Sequence, residues 1–124
     1  MGATILVVDD DRHSSEGLRD ALLHGGYAVE TAGDGWEAIQ RIRAHPFEVA
    51  IIDLDLPPVH GVPISGWDLV RIFHTYYPRL RSIVVSAELD ATLKATAERL
   101  HVAEFLEKPI SPAHVSAIVR RFGA

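Results

Sequence analysis

The sequence predicts a doubly wound α/β fold with a parallel sheet. Short β-branched runs alternate strictly with segments of helical period along the 124 residues, and alternation of that kind favours helices packed on a parallel sheet. Three of the runs, Ile5–Val8, Val49–Ile52 and Ile83–Val85, are apolar at every position, as strands covered on both faces must be. Crossovers between parallel strands are right-handed, which leaves the doubly wound arrangement as the natural solution.

The strands are expected at Thr4–Asp9, Tyr27–Thr31, Glu48–Asp53, Arg81–Ser86 and Val102–Leu106. The second is the most polar and belongs at an edge. Between them, residues 13–24 carry Leu18, Ala21 and Leu22 at helical spacing and end at Gly25-Gly26, a C-cap signal. Residues 35–44 carry Ala38, Ile39 and Ile42 and stop before Pro46. Residues 66–77 carry Leu69, Val70, Phe73 and Tyr77; Ser65 and Asp68 stand in capping-box relation, and Pro78 is the stop. Residues 90–100 carry Leu93, Ala97 and Leu100. Residues 112–122 carry Val115, Ile118, Val119 and Phe122, with Ser111 as N-cap and Pro112 in the first helical position. Residues 54–65 hold three prolines. They exceed the usual connection after a strand, which marks them as a loop with a use.

The length is that of a single domain, 1–124, and such a chain buries roughly two-thirds of its unfolded surface. Without cysteine there is no disulfide, thiol nucleophile or thiolate metal site. No apolar run approaches the ~20 residues of a membrane span, and Met-Gly-Ala-Thr lacks the basic region of a secretory signal. The formal charge of −5 speaks against direct nucleic-acid binding and for cations or basic partners. The seven histidines lack metal-ligand spacing.

Ligands of an open α/β sheet bind outside the carboxyl ends of its strands. The first strand ends in Asp9-Asp10-Asp11 and the third in Asp53, with Asp55 two residues on; the fourth ends in Ser86-Ala87, and the fifth runs into Lys108-Pro109. A parallel sheet brings these groups to one rim. Crowded carboxylates repel unless a cation intervenes. Mg²⁺ typically takes one or two of them and keeps positions for water and phosphate. A lysine and a hydroxyl suit phosphoryl oxygens, and an aspartate can act as nucleophile. The set reads as phosphoryl transfer to a carboxylate, stabilised by metal and lysine. Asp11 reads as a helix N-terminal acid rather than a ligand. Trp36 and Trp67 begin helices and read as packing or partial surface.

Four motifs in order then resemble the receiver domain of two-component response regulators, of the chemotaxis-regulator kind: Ile5-Leu-Val-Val-Asp-Asp10, Ile51-Ile-Asp53-Leu-Asp-Leu-Pro57, Ile83-Val-Val-Ser86-Ala87 and Phe105-Leu-Glu-Lys108-Pro109. The resemblance covers essentially the whole chain. It implies a flavodoxin-like strand order 2-1-3-4-5 with five helices. It implies that Asp53 accepts a phosphoryl group from a histidine kinase or histidine phosphotransfer protein. Mg²⁺ would be bound by Asp10 directly, by Asp9 through water, by Asp53, and by the backbone carbonyl of Asp55. Ser86 and Lys108 would hold the phosphoryl oxygens, with a cis bond at Lys108-Pro109. Ser86 and Phe105 would form the switch, and the side chains of Asp55 and Glu88 would modulate phosphoryl lifetime.

The resemblance further implies a cytoplasmic phosphoprotein of a phosphorelay. It would change its surface on the fourth helix, fifth strand and fifth helix to control a downstream partner or fused output domain, with room for a phosphorylation-dependent homodimer. As a chain of one receiver, its output would pass through contact with another protein. Its enzymatic activity would be confined to autocatalytic phosphorylation and dephosphorylation.

Two departures stand out. Gly66 follows Pro57 by nine residues where the family usually needs about four, an insertion of about five beside the site; His60-Gly61 offers another alignment, but Ser65-Gly66-Trp67-Asp68-Leu69 makes the better helix start. Phe105 lacks the hydroxyl of a tyrosine, so any switching there must rest on packing. Two other readings compete. One is a degenerate receiver that only docks partners, which the complete acid, hydroxyl and lysine set disfavours. The other is a haloacid-dehalogenase-type phosphatase, whose Asp-x-Asp motif Asp53-Leu-Asp55 imitates; that family puts its nucleophile first and its acid pair last, and Pro57 interrupts the motif. A P-loop enzyme is excluded for want of Gly-x-x-x-x-Gly-Lys-Ser/Thr.

Overall fold

In the computed structural model, which describes residues 3–56 and 64–123, strands and helices alternate from end to end. The order is β1 (Thr4–Val8), α1 (Arg12–His24), β2 (Ala28–Ala32), α2 (Gly35–Ala44), β3 (Val49–Asp53), α3 (Gly66–Tyr76), β4 (Arg81–Ser86), α4 (Ala91–Arg99), β5 (Glu104–Glu107) and α5 (Pro112–Arg121). The strands form one parallel sheet in the order β2-β1-β3-β4-β5. The fold is the expected flavodoxin-like one, and the polar second strand lies at an edge.

Register explains why the central strands are apolar throughout. Ile5, Val49 and Arg81 stand in line across the sheet, as do Val7, Ile51 and Ile83. Odd positions face α1 and α5, where Ile5, Val7, Ile51, Ile83 and Val85 pack with Leu18, Leu22, Val115, Ile118 and Val119. Even positions face α2 and α3, where Leu6, Val8, Ile52 and Val84 pack with Ala38, Ile42, Leu69, Val70 and Phe73. Each fully buried Leu, Ile, Val or Phe contributes about 1.5–3 kcal/mol, so both faces hold the sheet.

Side-chain caps begin every helix. Asp11 accepts from the N–H groups of His13 and Ser14 at 2.9 and 3.3 Å. Asp34 caps α2 and Asp90 caps α4. Ser65 and Asp68 form the expected reciprocal box, at 3.0 and 2.9 Å, and Ser111 caps α5 with Pro112 following. Asp11 is thus the helix N-terminal acid its position suggested. The left-handed residue after α1 is Gly26, with φ +91°, rather than the C-cap Gly25.

Most elements shift at a boundary by a residue or two from the sequence reading, and two of the shifts have a visible cause. The last helical turn of α3 ends at Tyr76, where Tyr77 leaves helical geometry. β5 starts at Glu104 rather than Val102. The Val102 N–H turns back to the Ala97 carbonyl, and Ala103 is the first residue to reach β4, through Ser82. The reversal is made by His101 at φ +55°, a left-handed residue that no glycine announces. Of the long connection at 54–65, residues 57–63 lie outside the described residues, and with them the inserted segment, Pro57 and His60-Gly61.

Candidate functional site

At the carboxyl end of the sheet, β1 and β3 place Asp9, Asp10 and Asp53 together. Each offers a carboxylate oxygen within 4.8 Å of the others. Asp53 is the last residue of the central strand β3 and only 3% exposed. Both of its oxygens are engaged: Oδ1 accepts from the Asp55 N–H at 2.8 Å, and Oδ2 accepts from Lys108 Nζ at 2.6 Å. Lys108 leaves β5 just before a cis bond to Pro109, and its own N–H is tied to the Ser86 carbonyl at 2.8 Å. The side chain therefore reaches inward over the rim from the edge of the sheet.

The electrostatics follow from that crowding. Asp9 is half-buried and its Oδ1 accepts from the Asp11 N–H at 2.9 Å. Burial is the main reason its pKa lies above the ordinary carboxylate value; the Asp11 N–H opposes this, the Asp53 charge adds to it, Lys108 opposes it and Asp10 adds to it. For Lys108, burial works against the charged form, but the hydrogen bond and charge of Asp53, with Asp9 and Asp55, outweigh it and raise its pKa.

A small hard cation fits this donor set. Oxygens bound to one octahedral Mg²⁺ at 2.0–2.1 Å stand about 2.9 Å apart when adjacent and about 4.2 Å when opposite, so acids spread over as much as 4.8 Å draw in by up to about 2 Å to ligate directly, or reach the ion through water. Binding would also offset the burial, and the lesser repulsion from Asp53 and Asp10, that lift the Asp9 pKa.

Ser86, the last residue of β4, is buried at 4% exposure, and its Oγ accepts from the Glu88 N–H at 3.2 Å. Asp53 stands opposite Val85, so Ser86 belongs to the other face of the sheet and approaches the acid only over the rim. Asp55 and Glu88 are exposed and line one cavity of about 360 Å³ with Leu54, Trp67, Ser86, Ala87 and Leu93. Phe105 is half-buried on β5. A second cavity of about 510 Å³ opens between α1 and α5, walled by Val7, Leu18, Ile51 and Val85 with Asp53 and Lys108 at its rim.

Sequence reasoning missed two residues here. Gly66 opens α3 against the end of β3: a Cβ on it would lie 2.6 Å from the Asp53 carbonyl oxygen and from Leu54 Cα. Trp67 packs its indole edge-on to the Phe105 ring, with centroids 6.4 Å apart and planes at 71°. The one available signal was the Gly-Trp pair directly after an N-cap serine, and it does not say what either residue touches.

Residues 5–120 match the family profile described as the response regulator receiver domain. Among curated relatives, the chain is 32% identical over 125 aligned residues to the response regulator GtcR of Aneurinibacillus migulanus, covering 98% of this chain and 49% of that protein. The chain spans about half the length of most of these curated relatives, and 24% of one, the response regulator protein FleR of Pseudomonas aeruginosa. A CheY-like receiver domain protein of Methanospirillum hungatei superposes with a TM-score of 0.88 at 23% identity, covering 98% and 94% of the two chains, a likeness of fold. A response regulator of Burkholderia pseudomallei, whose structure carries a phosphorylated aspartic acid, a calcium ion and citrate, superposes with a TM-score of 0.81 at 26% identity over 94% and 66%. With a match running from the first strand into the last helix, the chain belongs to the response regulator receiver domains of two-component systems.

Proposed function

We propose that this receiver domain takes a phosphoryl group on Asp53 from a histidine kinase or histidine phosphotransfer protein, with Mg²⁺ at Asp9, Asp10 and Asp53. The single observation that carries the reading is the Asp53 carboxylate itself: buried at the end of the central strand, within reach of two other acids, and held at 2.6 Å by a lysine. A buried carboxylate with a cation of its own and a second cation's donors beside it is arranged for a reaction that brings in negative charge.

In that reaction an Asp53 carboxylate oxygen bonds to phosphorus. The P–N bond of the phosphohistidine breaks, its electron pair returns to the imidazole nitrogen, and the product is an aspartyl phosphate. The Asp55 N–H holds the carboxylate in orientation. Lys108 leaves Oδ2 and pairs with an incoming phosphoryl oxygen, and the Ser86 hydroxyl turns from Glu88 to another. Mg²⁺, when bound, would supply charge neutralisation for the phosphoryl oxygens; Asp10 and Asp53 would hold it directly, Asp9 through water and Asp55 through its carbonyl. Ser86 and Phe105 carry the change toward the surface of α4, β5 and α5, where a partner or fused output domain reads it and where two copies can pair. Asp55 and Glu88, at the mouth of the site, adjust how long the phosphoryl group survives. The whole 1–124 acts as one receiver, in the cytoplasm. The phosphatase and docking-only readings are not favoured: the family match runs the length of the sheet, and the acid, hydroxyl and lysine set is complete.

The test is incubation with Mg²⁺ and acetyl phosphate followed by intact mass. One added phosphoryl group is expected, absent from Asp53→Asn. No adduct, with no Mg²⁺ binding, would leave a docking-only module, and rapid turnover of many phosphate esters would point to the phosphatase.

A further inference from the structure

Phe105 presents a ring with no polar tip, so no hydrogen bond chooses between one position and another; its ring contacts must decide. The sheet register shows what those contacts join. Phe105 stands opposite Val84, and Ser86 opposite Glu107. Ser86 is two residues past Val84, so Ser86 and Phe105 are diagonal neighbours on one face. That face is the one α3 covers, since Val84 packs with Leu69, Val70 and Phe73. The aromatic partner of Phe105 on it is Trp67. Trp67 is anchored at its other end, because Gly66 before it is pressed onto the Asp53 carbonyl and Leu54. It also walls the cavity of about 360 Å³ that opens beside Ser86.

We infer that Trp67 is the positioning residue for Phe105: its indole edge sets where the Phe105 ring sits, and so ties the ring and Ser86 to the start of α3. The inference rests on Asp53 being the phosphoryl acceptor. The cavity gives Ser86 room to rearrange beside the indole, and Phe105 cannot leave its place without changing its contact with the indole. A message from Asp53 therefore reaches α3 as well as β5. It is read at a tryptophan two residues into a helix whose first residue touches the backbone of the reacting aspartate.

The experiment uses Trp36→Phe, which leaves Trp67 as the sole tryptophan. Its emission is followed at saturating Mg²⁺ before and after acetyl phosphate, with intact mass recorded on the same samples. The expected result is a change in emission that tracks the adduct, is absent in Trp36→Phe/Asp53→Asn, and is lost in Trp36→Phe/Phe105→Leu although the adduct still forms. A tryptophan that is merely packed would not follow the chemistry through Phe105. Removing an edge-on aromatic contact typically changes a two-state ratio by about two- to tenfold. Trp67→Leu and Phe105→Leu should each alter the phosphorylation rate within that range, and the double variant should do no more than the larger single one, with Trp67→Phe restoring most of the loss. An adduct with unchanged emission, or strictly additive effects, overturns the inference and leaves the acceptor reading standing. No adduct at all overturns both.

Discussion

Substituting Gly66 by alanine tests how the start of α3 is locked to the end of β3. On propensity alone the change should stabilise the protein: alanine is favoured over glycine in a helix by about 1 kcal/mol, and it restricts the unfolded chain. Sterically it should do the reverse. The new Cβ would stand 2.6 Å from both the Asp53 carbonyl oxygen and Leu54 Cα, and 3.2 Å from the Asp53 carbonyl carbon. Ordinary contact begins at 3.4 Å, so the helix must retreat by about 0.8 Å from a buried central strand. None of these atoms is the end of a flexible side chain, so the strain is not relieved by a rotamer change, and overpacking of this sort costs about 1–3 kcal/mol. With a urea slope of about 1–3 kcal/mol per molar, a net loss of about 2 kcal/mol moves the midpoint down by roughly 1 M. Gly17 is the control. It lies within α1 and an added Cβ there meets nothing within 4 Å, so Gly17→Ala should raise stability by about 0.5–1 kcal/mol. Because Gly66 bears on the carbonyl of Asp53 itself, Gly66→Ala should also slow phosphorylation by acetyl phosphate more than a comparably destabilising core substitution such as Ile42→Ala. A Gly66→Ala midpoint equal to or above that of the parent protein refutes the close-approach argument.

Asp9 carries a pH prediction. Its folded pKa is raised, so its ionisation costs folded-state stability; that cost is absent below the unfolded value of 3.8 and complete above the folded pKa. Without divalent cation, stability should fall as pH rises through that window, and thermal melts of Asp9→Asn should lose this slope and sit higher at neutral pH. Added Mg²⁺ should stabilise the parent protein, by about 2.7 kcal/mol at a hundred times its Kd, and Asp10→Asn much less; equal shifts would remove these acids from the metal site. Lys108→Met strands the buried Asp53 carboxylate and should cost about 1–3 kcal/mol in urea unfolding, with part recovered in Lys108→Met/Asp53→Asn; a fully additive double variant would mean the 2.6 Å pair is not coupled. Ser65→Ala removes the Oγ that accepts from the Asp68 N–H, while the backbone N–H of residue 65 still donates to the Asp68 carboxylate, and should cost about 1 kcal/mol, read in the same melts.

How much of this was legible beforehand depends on whether the cause was local. Apolarity at consecutive positions marked β1, β3 and β4 because both faces of a central strand need covering. Asp11, Ser65 and Ser111 were legible at helix starts because a cap is satisfied by N–H groups two or three residues away. The rim acids were legible for a topological reason: strands of one parallel sheet end on one side, so Asp9, Asp10 and Asp53 had to meet wherever the strands stopped. Illegible features were those set by a distant partner. Nothing near His101 announced that it would take a left-handed conformation and delay β5 by two residues. Nothing near Gly66 said that its missing Cβ is filled by the Asp53 carbonyl, or near Trp67 that its partner lies 38 positions on.

Gly66 and Trp67 fall on one turn of helix, and that turn joins the two faces of the sheet. Asp53 lies on the α1 and α5 face, while Ser86 and Phe105 lie on the face covered by α3. A change at the acid can cross only over the rim or through the backbone of β3. Gly66 sits on that backbone and Trp67 carries the contact on to Phe105, so the start of α3 supplies the second route. A side chain at residue 66 would hold α3 away from β3 and weaken that route, whereas loss of the Ser86 hydroxyl would weaken only the first. In the Trp36→Phe background, phosphorylated Gly66→Ala and phosphorylated Ser86→Ala should therefore each show a smaller Trp67 emission response per adduct than the parent, and an undiminished response in Gly66→Ala would place the signal on the rim alone.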